Sequence, residues 1–303
     1  AARICILAPQ NIAAVAGLLG VLKAGKCFVP MLPQDSDDYL RHLWNNSDSS
    51  LIFCGKEDVQ RAAGICGNAN LIVVATDALE HPDVCDSAWP ADPERISALM
   101  YTSGSMGQPK GVLTTERAIL ERAMQHIEMA RITPDDRQVA VVPWQFSSAF
   151  PDIYAPLLTG AGLYLYDSHR LGIERLALRV KQNAITLLKL PAALVRRFAE
   201  SSSVDLLTTV RYVHCGGGVK VQDAKKLLDL LPDHAVLMHG FASTETNLVT
   251  QRHWWRDDPI FQMPSSTGIL PAGCPVAGKK IQIVDDEGRP LEPGAEGELV
   301  VIS

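Results

Sequence analysis

The run Tyr101-Thr102-Ser103-Gly104-Ser105-Met106-Gly107-Gln108-Pro109-Lys110-Gly111 packs small, hydroxylated and flexible residues against one lysine. The apolar stretch Ile96-Ser97-Ala98-Leu99-Met100-Tyr101 before it has the composition of a buried strand, and Glu116 to Met129 after it carries helical periodicity. A loop so placed is expected at the edge of a sheet. Gly104, Gly107 and Gly111 let backbone N–H groups turn toward an anion with no Cβ in the way. Thr102, Ser103 and Ser105 add donors, and Lys110 adds a point charge, so the run reads as a phosphate cradle. Its spacing fits neither G-x-x-x-x-G-K-[ST] nor G-x-G-x-x-G, and Ser103 stands where a G-x-S-x-G elbow needs glycine. Taken alone, such a loop is as readily a surface turn.

Outward from the loop, short apolar runs alternate with helical patterns. Before it come strands Ile4–Leu7, Cys27–Met31, Leu51–Cys54 and Leu71–Ala75, with helices near Asn11–Lys23, Asp37–Asn46 and Glu57–Ile65. The proline-bearing segment Leu79 to Glu94 reads as a loop. After it come strands Val139–Val142, Leu163–Tyr166, Ile185–Leu188, Val210–Cys215 and Ala235–His239. The helices between them are expected near Asp152–Leu158, Leu171–Lys181, Ala192–Ala199 and Val219–Leu231. Alternation of this kind predicts an α/β fold: two doubly wound, mostly parallel sheets with flanking helices. The runs Lys280–Val284 and Glu298–Ile302, joined through Asp285-Asp286-Glu287-Gly288-Arg289-Pro290, add a small C-terminal β unit. The expected division is residues 1–160 with the phosphate loop, 161–270 as a second α/β subdomain, and 271–303 as the start of the β unit.

Composition bounds the function. The 303 residues are 47% hydrophobic and 20% charged, enough for one large core or two smaller ones. With 28 basic and 34 acidic residues the net charge is −6, which offers no electrostatic footprint for nucleic acid or an anionic membrane. The sequence contains no apolar run of membrane-spanning length, and Ala1-Ala2-Arg3-Ile4-Cys5 reads as strand rather than signal peptide. Cysteines 5, 27, 54, 66, 85, 215 and 274 form no C-x-x-C pair and lie mostly in apolar runs, as reduced core residues of a cytoplasmic protein would. The eight histidines show no zinc-site spacing.

The run at 102–111 resembles the Thr-Ser-Gly-Ser-Thr-Gly-x-Pro-Lys-Gly signature of adenylate-forming enzymes, departing from it only at Met106, where the family usually has Thr. That superfamily comprises acyl-CoA synthetases, luciferases and nonribosomal peptide synthetase adenylation domains. Leu22-Lys23-Ala24-Gly25-Lys26-Cys27-Phe28-Val29-Pro30-Met31-Leu32-Pro33 resembles a motif of the peptide-synthetase branch. Gly240-Phe241-Ala242-Ser243-Thr244-Glu245 is similar to the family's Tyr-Gly-x-Thr-Glu element, with Phe241 in the Tyr position. The resemblance implies ATP and Mg²⁺. Phe241 would stack on adenine, Thr244 would bond the α-phosphate, Glu245 would hold the metal, and Thr102 and Lys110 would complete the catalytic set. Ser103, Gly104, Ser105 and Gly107 would bind phosphate, and the turn Gly216-Gly217-Gly218 after Cys215 would lie along adenine. Read without the resemblance, Ser243 or Thr244 is a helix N-cap with Glu245 beside the dipole. Gly273-Cys274-Pro275 and Gly294-Ala295-Glu296-Gly297-Glu298-Leu299 resemble architectural elements of the family.

Carried over position by position, the family's acyl pocket comprises Phe146, Ser147, Ser148, Pro151, Lys189, Val213, Cys215, Gly240, Leu248 and Val249. Peptide-synthetase domains usually hold the substrate α-ammonium with an Asp where this chain has Ser147, so an ordinary α-amino acid is disfavoured. Lys189, expected at the end of the strand Ile185–Leu188, either meets a polar substrate group or snorkels to solvent. The expected reaction is acyl-AMP formation with transfer to a carrier-protein phosphopantetheine thiol. The ribose-binding Asp and the C-terminal subdomain with its catalytic lysine have no counterpart in these residues, so weak activity is expected of them alone. An acyl- or aryl-CoA ligase is the rival within the class, although Pro143-Trp144-Gln145-Phe146 lacks the His those ligases often carry. A non-catalytic nucleotide-binding scaffold is the rival from another class, with Met106 as its argument.

Overall fold

The computed structural model describes residues 2–67, 71–73, 90–102, 109–263 and 268–302. The chain forms two compact units, Ala1–Gly172 and Ile173–Ser303.

The first unit opens with β1 (Arg3–Leu7), α1 (Ile12–Lys23), β2 (Cys27–Met31), α2 (Asp37–Ser47), β3 (Ser49–Cys54), α3 (Val59–Cys66) and β4 (Leu71–Val73). Asn11, Ser36 and Thr115 each cap a helix by accepting a backbone N–H from the residue three positions on, at 3.0, 3.3 and 3.2 Å respectively. β5 (Ile96–Thr102), β6 (Lys110–Thr115) and α4 (Glu116–Ala130) follow. Next come β7 (Arg137–Ala140), α5 (Phe150–Thr159), β8 (Gly162–Leu165) and α6 (Ser168–Leu171). The main sheet runs β4-β3-β1-β2-β5-β6, parallel except for the antiparallel β5–β6 pair at its edge. β7 and β8 pair in parallel. Successive side chains of a strand face opposite ways, and the sheet has a core on each face. Ile4, Ile6 and Phe28 join one with Leu18, Trp144 and Phe150; Cys5, Leu7, Val29 and Met31 join the other with Leu40 and Leu43.

The second unit contains α7 (Leu176–Gln182), β9 (Leu187–Pro191), α8 (Ala192–Glu200), β10 (Tyr212–Gly216), α9 (Val221–Leu230), β11 (Val236–Ser243), β12 (Asn247–Trp254) and β13 (Cys274–Pro275). The strand order is β13-β12-β11-β10-β9, parallel from β9 to β11 and antiparallel beyond. β14 (Lys280–Val284) and β15 (Glu298–Ile302) make the separate antiparallel pair anticipated from the sequence.

Four local expectations need correction. Lys110–Thr115 is a strand, not loop, because Val112, Thr114 and Thr115 suit a half-covered edge. The single helix expected over Leu171–Lys181 is two, with Gly172 at φ 73° ending the first. Residues 247–254, given no element from the sequence, form β12, so Ser243 and Thr244 lie in a β-hairpin and cap no helix. The strand expected over Ile185–Leu188 lies at Leu187–Pro191, which puts Lys189 at its centre.

Candidate functional site

In the first unit the cradle is the connection of the β5–β6 hairpin. Thr102 and Lys110 are cross-strand partners, and Tyr101 pairs with Gly111. Ser103, Gly104, Ser105, Met106 and Gly107 lie outside the described residues. The hairpin's base is pinned on both sides. Arg95 gives its Nη2 to both carboxylate oxygens of Glu116 at 2.9 Å, linking the start of β5 to the end of β6. Toward the loop, the buried Tyr101 donates its hydroxyl to Asn46 Oδ1 at 2.8 Å, and desolvation pushes the phenol up to about 12. A Cβ on Gly111 would stand 2.9 Å from Leu99 Cδ1, so glycine lets the two strands close tightly there. Lys110 is exposed and Thr102 half-buried, so the lysine charge is open to an anion in solvent.

The same unit presents the segment before α5. Gln10 fixes it with both ends of its amide: Nε2 donates to Ala140 O at 2.6 Å, and Oε1 accepts the Trp144 N–H at 3.0 Å. The Trp144 indole donates to Ala8 O at 3.1 Å. Beyond that anchor Phe146 is 47% exposed, Ser147 is buried in a single 3₁₀ turn, Ser148 is exposed, and Pro151 is half-buried in the first turn of α5.

In the second unit the remaining candidates gather on neighbouring strands. Val213 pairs with Leu188 and Leu237, Cys215 with Leu190 and His239, Gly216 with Pro191 and Gly240, and Lys189 with His214. The Cys215 thiol is pushed up to about 12 by burial, so it serves as a packing group rather than a nucleophile. Lys189 is 5% exposed.

The carboxyl ends of β10 and β11 open outward. Gly217, Gly218, Phe241, Ala242 and Glu245 are exposed, in the place where parallel α/β sheets receive ligands. A Cβ on Gly216 would meet nothing within 4 Å, whereas one on the adjacent Gly240 would lie 2.3 Å from Thr250 O. The hairpin tip is held by its own hydroxyls. Ser243 Oγ accepts the Thr246 N–H at 3.1 Å and lies 2.9 Å from Thr246 Oγ1, and Asn247 takes φ 62° to start the return strand. Phe241 donates its N–H to Thr250 Oγ1 beside a bulge that leaves Val249 without a register partner on β11. Leu248 and Val249 are buried.

This arrangement suits a nucleotide with a metal. An open aromatic face at Phe241 and an open space at Gly216 suit a flat base, and an exposed carboxylate at Glu245 suits an oxygen-preferring cation. Among the described residues, no group of three His, Cys, Asp or Glu side chains is placed to hold a metal. Sequence reasoning passed over His239, which is 2% exposed and has both ring nitrogens against backbone carbonyls, Nε2 at 2.6 Å from Gly217 O and Nδ1 at 3.1 Å from Pro271 O. Its position directly before Gly240 and Phe241 was the available signal.

Comparison with known proteins gives the chain's family. A family model described as AMP-binding enzyme matches residues 1–303. Malpibaldin synthetase of Mortierella alpina is 29% identical over 299 residues, covering 97% of this chain and 5% of its own. Surfactin synthase subunit 3 of Bacillus subtilis (strain 168) is 25% identical over 301 residues, covering 98% of this chain and 23% of its own. The chain thus spans a small part of the curated relatives it matches. A solved nonribosomal peptide synthetase, FmoA3 in its α-methyl-L-serine-AMP bound form, superposes with a TM-score of 0.85 at 19% identity, over all of this chain and 33% of that one.

Proposed function

Because the chain belongs to the AMP-binding enzyme family, we propose that it serves as an adenylation domain, joining a carboxylic acid to ATP as an acyl-AMP for transfer to a carrier-protein phosphopantetheine thiol. The carrying observation is the open end of β10 and β11, where the empty face of Gly216, the exposed Phe241 ring and the Glu245 carboxylate follow one another. A substrate carboxylate oxygen attacks the α-phosphorus, the bond to the β-phosphate oxygen breaks, and pyrophosphate leaves. In this reading Phe241 stacks on the adenine, Gly216, Gly217 and Gly218 admit it edge-on, and Thr244 donates to the α-phosphate. Lys110 and Thr102, with Ser103, Gly104, Ser105 and Gly107, hold the pyrophosphate end. Glu245 would hold Mg²⁺, which neutralises phosphate charge when bound. The protein's own contribution is positioning and charge neutralisation.

For the substrate we infer an acid without an α-ammonium. Ser147 is buried and neutral where related domains place the anchoring carboxylate, and leaving a buried ammonium without its ion partner costs about 3–5 kcal/mol. By the family's pocket positions, Lys189 would meet a carboxylate, phenolate or keto oxygen on the substrate. A cytoplasmic location belongs to this proposal and is supported by Cys5, Cys27, Cys54, Cys66 and Cys215 being buried free thiols. Substrate-dependent ATP/pyrophosphate exchange tests the reading. Exchange with keto, hydroxy or aryl acids and little with standard α-amino acids is expected; a strong preference for an α-amino acid would refute the substrate assignment.

A further inference from the structure

His239 sits on β11 in register with Cys215 of β10 and Arg252 of β12. Its imidazole is enclosed, and what faces each ring nitrogen is a carbonyl oxygen, which can only accept. A ring with one N–H satisfies one of these carbonyls and turns a lone pair toward the other; a ring with two satisfies both. The two carbonyls belong to segments that already run together. Val221 N–H donates to Gly268 O at 3.0 Å and Leu270 N–H to Val219 O at 2.8 Å, while Gly217 O also accepts the Val219 N–H at 3.0 Å. Gly217 itself holds φ 87°, so the direction of its carbonyl is set by a conformation few other residues would keep. The imidazole therefore braces the far side of the turn whose near side is open to solvent.

We propose that His239 is a positioning residue for the nucleotide: its imidazole, set between the Gly217 and Pro271 carbonyls, holds the turn and so sets the glycine wall on which the adenine packs. The assignment rests on the adenylation reading for its ligand and on the hydrogen-bond geometry alone for its mechanism.

Two measurements separate these. In long-range ¹H–¹⁵N spectra of the wild-type protein, a His239 ring N–H slow to exchange is expected; a ring N–H that exchanges as fast as that of an exposed histidine overturns the brace. Calorimetry with adenosine, AMP and tripolyphosphate then compares wild type with His239→Gln and His239→Leu. Adenosine and AMP affinity should fall about tenfold or more in His239→Leu and less in His239→Gln, with tripolyphosphate affinity unchanged. Equal adenosine affinity in all three proteins overturns the inference while leaving adenylation standing. A wild type that binds no adenosine nucleotide overturns the adenylation reading and the nucleotide role of His239 with it. If His239→Leu fails to fold, the wild-type spectra and His239→Gln decide.

Discussion

Gly216 and Gly240 are register partners on adjacent strands, yet a methyl group added to each should have opposite effects. At Gly240 the new Cβ would lie 2.3 Å from Thr250 O and 3.2 Å from Leu248 Cδ1. The nearer obstacle is backbone of the paired strand, so relief requires β11 and β12 to part by roughly an ångström, an overpacking cost near the upper end of about 1–3 kcal/mol. The smaller unfolded-state entropy of alanine returns about 0.4–1 kcal/mol. A net loss of about 2 kcal/mol corresponds to a fall in Tm of about 3 °C for a chain of this size. At Gly216 no atom lies within 4 Å of the added Cβ, and the backbone is outside the positive-φ set, so Gly216→Ala should match or slightly exceed wild-type stability. It should nevertheless weaken AMP binding, because the methyl group occupies the space assigned to the base. Thermal and urea unfolding followed by far-ultraviolet circular dichroism, with AMP calorimetry on the same samples, reads both effects. A Gly240→Ala protein that melts with the wild type would refute the packing argument. A Gly216→Ala protein with unchanged AMP affinity would refute the placement of the adenine.

Other outcomes follow from the same coordinates. Glu116→Ala removes a two-pronged ion pair whose Arg95 side chain is 10% exposed, and should cost about 1–3 kcal/mol in urea unfolding; a change below about 0.5 kcal/mol would show that the pair does not pin the hairpin. Burial pushes the thiols of Cys5, Cys27 and Cys54 up to about 11 and that of Cys215 to about 12, from an ordinary 9.0. Unfolded thiols release their protons above that ordinary value while the folded ones keep theirs, so stability is retained below about pH 9 and should fall between about pH 9 and 12. Urea midpoints that stay level across that window would contradict the assignment. At pH 8 a maleimide should modify the exposed Cys274 well before any of these four buried thiols.

The α/β class was legible because strands covered on both faces leave uninterrupted apolar runs, as Cys27–Met31 does within its correct limits. Helix starts were legible where a cap stands before the first turn, as at Asn11 and Thr115. What sequence reasoning missed lies at sheet edges. β6 and the second half of β12 consist mostly of exposed and half-buried residues, so they lack an apolar run, and pairing rather than local preference makes them strands. The same lack of tertiary context put Lys189 at a strand end: Leu190 and Pro191 extend β9 because β10 offers Cys215 and Gly216 as partners. Motif spacing singled out Phe241, Thr244 and Glu245 but gave no hint of the hairpin that carries them, since Asn247 at φ 62° turns the chain where a helix start was equally consistent with Ser-Thr-Glu. His239 went unnoticed because its significance lies in two carbonyls from distant segments, which no local pattern encodes.

MgATP binding at the open end of β10 and β11 tests the adenylation reading most directly. In calorimetric titration of the wild type, Phe241→Ala and Glu245→Gln, the wild type should bind MgATP and each variant should lose about tenfold or more in affinity. A wild type with no MgATP affinity, or variants that bind as tightly as the wild type, would contradict it.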